Sequence, residues 1–366
     1  MREVRVSLVR GDDLSYSALI GQGILGDVLA DAERLHPRRR VFLVTDANVV
    51  AAGHAAKLMG GRSVPQYVIA PPGEVSKNIA TVTHIVDAME SQRFGRDSLL
   101  IALGGGTVGD IGGFAAAIFK RGVPYVQVPT TTVAQADSSV GGKVGVDSRL
   151  SKNAYGVFKQ PSRVYVDAVT PATMDARSYC AGLVESVKHA MIADAAYFEY
   201  LETHIVALLA RDAATLEDVA ENNIRIKAGV VEQDPEECGL RRVLNYGHTV
   251  GHALESASDY SLLHGEAVGL GILAAARIAE EIGVADASIG RRAAVLLKKL
   301  GMPGRIPPGI NTQTLAEIMS RDKKALGAMP RFVLLDRLGH AREENGEYVR
   351  SVDSGIVERA IASLRD

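Results

Sequence analysis

The sequence has few of the features that stabilise secreted or membrane proteins. Only two of its 366 residues are cysteines, Cys180 and Cys238, which excludes a disulfide framework and fits a reducing compartment. No apolar run reaches membrane-spanning length, and the alternating N-terminus MREVRVSLVRGDD contains no apolar signal region. The formal net charge of −2 gives no reason to expect nucleic acid as a partner. These absences predict a cytoplasmic protein that binds neither nucleic acid nor membranes.

What the sequence does contain is enough apolar material for two domains. Hydrophobic residues make up 47% of the chain and charged residues 23%, as in ordinary globular proteins. Up to about residue 175, short β-branched runs alternate with helical patterns, and beyond it helix follows helix. We therefore predict an α/β domain over residues 1–175, with a parallel sheet, and an α-helical domain over residues 176–366. The predicted strands are 41–46, 65–70, 98–106, 124–130 and 163–168.

A glycine-rich turn follows one of these strands. Gly104, Gly106 and Gly109 have the G-x-G-x-x-G spacing with which backbone N–H groups approach a pyrophosphate at a helix N-terminus. In such motifs an acidic residue about twenty positions after the glycines binds the ribose. Here that region reads VQVPTTT and contains no acidic residue. Asp46, at the end of an earlier strand, is a candidate for that role. A tight strand-to-helix turn without a ligand is the alternative interpretation.

Three of the nine histidines lie in the segment LNYGHTVGHALESASDYSLLHGEA. His248 and His252 stand four residues apart in a helical pattern, so both rings project from one helix face, as metal-binding pairs do. His264 follows on a new segment. A core histidine with satisfied hydrogen bonds explains any one of them, whereas three close together favour a metal site or an acid/base site. Upstream, the spacing of Glu185 and Lys188 also fits a plain intrahelical salt bridge.

Taken together, these motifs resemble those of the 3-dehydroquinate synthase family. The run GGGTVGDIGGFAAAIFKRGVPYVQVPTTTVAQADSSVGGKVGVDSRLSKN is followed in order by GLVESVKHA, LRRVLNYGHTVGHALE, LLHGEAV and DKK. The match covers nearly the whole chain, and the motifs in this order are far more specific than any one of them. The resemblance implies an N-terminal Rossmann-like domain that binds NAD, an α-helical domain that binds zinc or cobalt, and a homodimer.

The resemblance also implies a role for particular residues. The metal ligands are Glu185, His248 and His264. The implied NAD contacts are Asp46, Asn48, Glu74, Lys77, Gly105, Gly106, Asp110, Thr130, Thr131, Asp137, Lys143, Lys152 and Thr173. The implied catalytic and substrate residues are Arg121, Asp137, Lys143, Lys152, Asn153, Lys188, Lys227, Arg241, Asn245, His252, Lys323 and Lys324.

The implied activity is that of a carbon–oxygen lyase of the shikimate pathway, which leads to chorismate and the aromatic amino acids. The substrate, 3-deoxy-D-arabino-heptulosonate 7-phosphate, carries a phosphate and a carboxylate, which suit cationic donors. Family chemistry runs through transient oxidation by NAD, phosphate elimination, re-reduction and an intramolecular aldol closure. In this scheme His252 transfers protons, a task for a group whose pKa is near neutrality.

Departures from the family pattern leave alternatives open. Ser151 replaces a frequent glycine, Val144 a frequent threonine, and Ser178 a glutamate that is common on the cofactor side. Another sugar-phosphate cyclase, such as an amino-dehydroquinate synthase, is the first alternative. A metal-dependent NAD alcohol or glycerol dehydrogenase is the second, although such enzymes expel no phosphate and have no use for so many cationic residues.

Overall fold

The computed structural model describes residues 1–10, 12–321 and 330–365. The chain folds into two compact units. The first comprises residues 1–174 and 213–232, and the second comprises residues 175–212 and 233–366. Lys323 and Lys324, two of the predicted substrate residues, lie outside the described residues.

A seven-stranded sheet forms the centre of the first unit. The strands of this unit are β1 (Arg2–Val6), β2 (Val9–Arg10), β3 (Asp12–Asp13), β4 (Tyr16–Gly21), β5 (Arg40–Asp46), β6 (Gln66–Ile69), β7 (Ser98–Gly104), β8 (Tyr125–Pro129), β9 (Lys143–Val146), β10 (Tyr155–Phe158) and β11 (Arg163–Asp167). In the sheet their order is β1-β4-β11-β8-β7-β5-β6, and every pairing except β1 with β4 is parallel. The predicted parallel sheet and its five strands are confirmed.

Helices cover both faces of this sheet. They are α1 (Val28–Leu35), α2 (Ala47–Ala51), α3 (His54–Met59), α4 (Ile79–Ser91), α5 (Gly106–Ile118) and α10 (Ala213–Gln233). Strand β7 is buried along its whole length, as a central parallel strand with two covered faces should be. One apolar cluster joins β7 to α4 and α5, and another joins it to α1 and α3. Strand β7 is therefore packed on both faces.

Helix α10 belongs to the first unit although it follows the predicted boundary at residue 175. Its residues Ala220, Ile224 and Ala228 are buried in one cluster with side chains of β1, β4 and β11. The division into residues 1–175 and 176–366 stays a prediction, and the structure adds that this helix packs on the sheet.

The second unit consists mainly of helices, as the sequence predicts. They are α6 (Ala176–Gly182), α7 (Val184–Ala193), α8 (Ala195–Thr203), α9 (Ile205–Leu209), α11 (His248–Ala257), α12 (His264–Glu281), α13 (Ala287–Lys299), α14 (Thr312–Arg321) and α15 (Ser354–Ala362). Short strands β12 (Arg331–Phe332), β13 (Leu335–Arg337), β14 (His340–Ala341) and β15 (Arg350–Ser351) form two small antiparallel pairs. Aspartates cap four of these helices by accepting a backbone N–H, at Asp175, Asp194, Asp286 and Asp353. Among the described residues, no helix has the length and apolarity needed to cross a membrane.

Candidate active site

Three helices of the second unit bring Glu185, His248 and His264 together. Glu185 lies in the first turn of α7, while His248 and His264 are the first residues of α11 and α12. The Glu185 Oε1 atom is 3.7 Å from His248 Nε2 and 3.3 Å from His264 Nε2. One potential ligand atom from each residue lies within 4.8 Å of the other two. Two imidazoles and one carboxylate are the donor set of a catalytic zinc site that keeps positions open for substrate.

His248 is oriented by the backbone. Its Nδ1 is 3.1 Å from the carbonyl oxygen of Tyr246. Burial, together with the neighbouring Lys188 ammonium, holds the pKa of His248 well below its usual value. The ring is therefore neutral, and Nδ1 must carry its single proton to donate to Tyr246. The Nε2 lone pair then faces the Glu185 carboxylate, and a cation bound between these two acceptors would stabilise both.

His264 is held by two carboxylates. Its Nε2 contacts Glu185, and its Nδ1 is 3.5 Å from Glu255 Oε2. Burial lowers its pKa, but the hydrogen bonds to Glu185 and Glu255 outweigh it and raise the pKa to about 10. A metal bound at Nε2 would displace the proton that His264 carries on this nitrogen, so we expect metal affinity to increase with pH.

His252 lies on the same helix as His248 but is exposed. Its ring centroid is 5.1 Å from that of His248 and 6.2 Å from that of His264. With Glu255 and His264 it forms a second group that could hold a metal, so His264 is common to both candidate groups. The prediction that His252 moves protons while His248 and His264 bind the metal stays a prediction.

Lys188 forms a buried ion pair beside the metal candidates. Its Nζ atom is 2.5 Å from Glu185 Oε2, and both side chains are 1% exposed. Only one oxygen of the Glu185 carboxylate faces the histidines, because the other one binds this ammonium. The pair is thus more than a surface salt bridge, which would be solvated and weak.

Arg241 and Asn245 lie on a turn that a buried aspartate organises. The Asp234 carboxylate accepts the backbone N–H groups of Cys238, Gly239 and Arg241 at 2.7–2.9 Å. The Arg241 side chain is almost fully buried and donates to the Pro235 carbonyl at 2.5 Å. Asn245 Nδ2 donates to Glu237 Oε1 at 2.8 Å. Local contacts therefore hold both predicted substrate residues in place.

In the first unit, the glycine-rich turn connects a strand directly to the N-terminus of a helix. Strand β7 ends at Gly104 and helix α5 begins at Gly106, with Gly105 extended between them. A Cβ at Gly105 would approach Thr131 Cγ2 to 3.1 Å, and one at Gly106 would approach Ser138 Oγ to 3.0 Å. The glycines thus let Thr131 and Ser138 pack closely against the N-terminus of α5, and backbone N–H groups at a helix N-terminus are a favourable site for phosphates.

Charged candidates surround this turn. Lys77 Nζ lies 2.6 Å from Asp110 Oδ2, and Lys152 Nζ lies 3.7 Å from Glu74 Oε1. Burial lowers the pKa of Lys77, but the carboxylates of Asp110 and Glu74 reverse that effect and raise it. Burial raises the pKa of Asp110, against the opposing influence of Lys77. Four of the predicted cofactor residues therefore form two ion pairs.

Asp137 and Lys227 also meet, although ninety positions separate them in the sequence. Asp137 lies in a short π-helix over residues 134–138, a form often found at functional sites. Lys227 Nζ is 3.0 Å from Asp137 Oδ1 and also donates to the Asp137 carbonyl. This contact depends on α10, which carries Lys227, packing with the first unit.

The carboxyl ends of β5, β7 and β8 bring further cofactor candidates to one edge of the sheet. The Thr130 N–H donates to the Gly104 carbonyl at 2.9 Å, and the Thr131 hydroxyl accepts the Ala134 N–H. Asp46 ends β5 and caps α2 by accepting the Val49 N–H. The exposed Asn48 follows it in α2.

The remaining candidates are held by other contacts. The Thr173 hydroxyl bonds His54 Nε2 at 2.9 Å. Asn153 is exposed with a left-handed φ of 52°, and its N–H donates to Asp147. Lys143 begins β9 and is exposed.

Within the first unit, the structure places Arg121 away from this edge. It lies on a turn with left-handed φ angles at Lys120, Arg121 and Gly122. That turn precedes the first residue of β8, Tyr125, and so lies at the opposite end of the strand from Thr130. The structure thus does not bring Arg121 to the glycine-rich turn.

Sequence reasoning missed Glu255, Asp234 and the Tyr246 carbonyl. Glu255 could have been found, because it stands three residues after His252 and seven after His248, on the same helix face. The sequence around Asp234 contains no pattern that predicts its role, because its contacts are with backbone N–H groups of an irregular turn.

Comparison with known proteins identifies the family. The model "3-dehydroquinate synthase N-terminal" matches residues 67–181, and "3-dehydroquinate synthase C-terminal" matches residues 182–325. The chain is 42% identical to 3-dehydroquinate synthase of Symbiobacterium thermophilum, over 88% of this chain and 92% of that protein. It is also 42% identical to the enzyme of that name from Acetivibrio thermocellus, over 89% of this chain and 90% of that protein.

A solved structure agrees with this grouping. The 2-epi-5-epi-valiolone synthase from Streptomyces hygroscopicus subsp. jinggangensis 5008, solved with NAD+ and Zn2+ bound, is 27% identical with a TM-score of 0.86. The match covers 98% of both chains. Since the metal candidates, the glycine-rich turn and the ordered motifs all fall within the matched ranges, the chain belongs to the 3-dehydroquinate synthase family.

Proposed function

We propose that the chain converts 3-deoxy-D-arabino-heptulosonate 7-phosphate to 3-dehydroquinate and phosphate, with NAD and a divalent metal as cofactors. The observation that carries the proposal is the convergence of Glu185, His248 and His264 beside a buried lysine. This set matches the residues that the family motifs assign to the metal. The proposed homodimer and cytoplasmic location rest on family resemblance and on the scarcity of cysteine.

The proposed metal fits the residues that would hold it. Glu185 Oε1 and the Nε2 atom of neutral His248 are both acceptors and lie 3.7 Å apart. Bound there, Zn2+ or Co2+ would act as a Lewis acid that polarises a substrate hydroxyl. Lys188 binds Oε2 of the Glu185 carboxylate, so Oε1 is the oxygen that faces the histidines and would bind the metal.

NAD fits the glycine-rich turn of the first unit. Gly105 and Gly106 have no Cβ and pack closely against Thr131 and Ser138, and a pyrophosphate would approach the backbone N–H groups at the N-terminus of α5. The ion pairs Lys77–Asp110 and Lys152–Glu74 flank this turn, so polar groups of either sign are available to the cofactor. Bound NAD would accept a hydride and later return it.

The chain's own residues would bind the anionic groups of the substrate and move its protons. The guanidinium of Arg241 and the ammonium of Lys188 are preorganised donors, because both side chains are buried and held by neighbours. His252 is the one exposed histidine of the cluster, so its ring is accessible for proton transfer. Cationic donors of this kind suit a substrate that carries a phosphate and a carboxylate.

Redox balance tests the proposal directly. In this reaction the hydride leaves and returns to the same carbon, so each turnover should release one phosphate with no net NADH. The measurement is phosphate release and absorbance of NADH in one cuvette with a substoichiometric amount of NAD. A chelated sample is the control and should release no phosphate.

Two results would favour the alternatives. NADH that accumulates in step with product would indicate the alcohol or glycerol dehydrogenase. A higher kcat/KM for an amino analogue of the substrate would indicate an amino-dehydroquinate synthase.

A further inference from the structure

His264 contacts two carboxylates through its two ring nitrogens. Nε2 faces Glu185 Oε1 at 3.3 Å, and Nδ1 faces Glu255 Oε2 at 3.5 Å. The two glutamates come from different helices, α7 and α11, while His264 begins α12. Glu255 is only 5% exposed. The ring is therefore held from both sides by buried acidic groups.

The chemistry of imidazole gives these two contacts different roles. A neutral imidazole that binds a metal through one nitrogen must carry its proton on the other. A hydrogen-bond acceptor at the protonated nitrogen fixes both the tautomer and the ring orientation. For His248 that acceptor is the Tyr246 carbonyl. For His264 the corresponding group is the Glu255 carboxylate.

We propose that Glu255 is a positioning residue of the metal site, which accepts the Nδ1–H of His264 and thereby directs Nε2 toward the metal. This inference rests on the metal assignment under the proposed function. In this role Glu255 binds neither substrate nor metal. Its negative charge also makes the His264 ring a stronger donor to the metal.

A direct metal-binding role for Glu255 is the competing interpretation, because Glu255, His252 and His264 form their own candidate group. A metal there would need the lone pair of His264 on Nδ1, which would leave Nε2–H for Glu185. The facing acceptors of Glu185 and His248 would then have no cation between them. If Glu255 instead accepts the Nδ1–H of His264, each side chain has a partner. Glu185, His248 and His264 would share the metal, and Glu255 would have its hydrogen bond.

Cobalt titration of variants tests the inference. Cobalt in a protein site absorbs visible light, so its spectrum reports ligand geometry and its titration reports affinity. We expect Glu255→Ala to bind cobalt about 10- to 100-fold more weakly than the wild type, as for other outer partners of metal ligands. Glu255→Gln should recover part of this loss, because the amide oxygen still accepts the Nδ1–H. Glu280→Gln is the matched control, since Glu280 lies on α12 with His264 but pairs with Arg277.

The outcomes separate this inference from the proposal beneath it. A wild-type protein that binds no cobalt overturns the metal assignment and the inference with it. Unchanged affinity and spectrum in Glu255→Ala, when the wild type binds cobalt, overturn the inference alone. Complete loss of cobalt in both Glu255 variants, with cobalt retained in His248→Ala, would make Glu255 a ligand instead. Circular dichroism of each variant checks that it is folded, and Glu255→Gln remains informative if Glu255→Ala does not fold.

Discussion

At the residue scale, the three histidines differ in what their rings contact. His248 donates to a backbone carbonyl, His264 lies between two carboxylates, and His252 is exposed. Identical side chains close together can thus have different roles, because neighbouring acceptors decide which ring nitrogen keeps its proton. The sequence alone offers His248 and His252 as the natural metal-binding pair, while in the structure these three histidines belong to two candidate metal groups that share His264.

Alanine variants of the histidines should separate these roles. His248→Ala and His264→Ala each remove one of three proposed ligands, so both should be purified with almost no metal and should be inactive. His252→Ala should keep close to one metal per chain, while its kcat falls about 10²- to 10⁴-fold, the usual contribution of a proton-transfer group. The measurements are metal analysis of the purified proteins and phosphate release.

His204→Ala is the control, because His204 is exposed and stacks on Tyr200 in α8. It should retain both metal and activity. Metal lost from His252→Ala but retained in His264→Ala would show that this assignment of ligands is wrong.

At the element scale, one short turn shows how an irregular segment can be as well determined as a helix. Residues 234–241 are held by the Asp234 carboxylate, which accepts three backbone N–H groups. Burial raises the pKa of Asp234, but the N–H groups of Gly239, Arg241 and Cys238 outweigh it and lower the pKa below 3.8. Ionised Asp234 therefore stabilises the turn that carries Arg241.

Asp234→Asn should destabilise the protein and misplace Arg241. We expect a loss of about 1–3 kcal/mol in the free energy of unfolding at neutral pH, since buried N–H groups lose their charged acceptor. Because the folded pKa is lowered, this stabilisation is fully present above pH 3.8 and is lost as the pH falls through the folded pKa. The measurement is urea unfolding of both proteins between pH 7 and the acid limit, together with kcat/KM at pH 7.

Asp286→Asn changes a helix cap at the surface of α13 and is the control. It should alter kcat/KM little. A stability difference between wild type and Asp234→Asn that grows as the pH falls would contradict the assigned role.

At the scale of the whole molecule, the proposed binding sites for NAD and for the metal belong to different units. The glycine-rich turn that would bind NAD belongs to the first unit, and the three metal candidates belong to the second. A ligand that binds only the folded protein stabilises it by an amount set by its concentration relative to Kd. The two cofactors can therefore be tested independently on the intact chain.

Thermal unfolding with each cofactor should distinguish the two sites. At one hundred times Kd, zinc or NAD should each stabilise the wild type by about 2.7 kcal/mol. His248→Ala should lose the shift in Tm with zinc and keep the shift with NAD. If His248→Ala keeps its zinc shift, the metal is bound elsewhere, and if it loses both shifts, the variant does not test the site.

Much of the fold was determined by local sequence patterns. The β-branched runs predicted five strands of the sheet, and the glycine spacing predicted the turn from β7 into α5, because both depend on neighbouring residues. The helices after residue 175 follow from the 3.6-residue apolar period. The order and spacing of the motifs also determined the family, which no single glycine or histidine could do.

The tertiary structure alone decided which surfaces and ring atoms meet. The apolar face of α10 was visible in the sequence, but an amphipathic pattern does not say which partner buries it, and α10 packs on the sheet of the first unit. Likewise, Glu185 and His264 are far apart in the chain, so their contact follows from the packing of α7 against α12. Glu255 became a candidate for the same reason. Its position on α11 predicts which way its side chain points, but only the packing of α12 against α11 places the His264 ring in front of it.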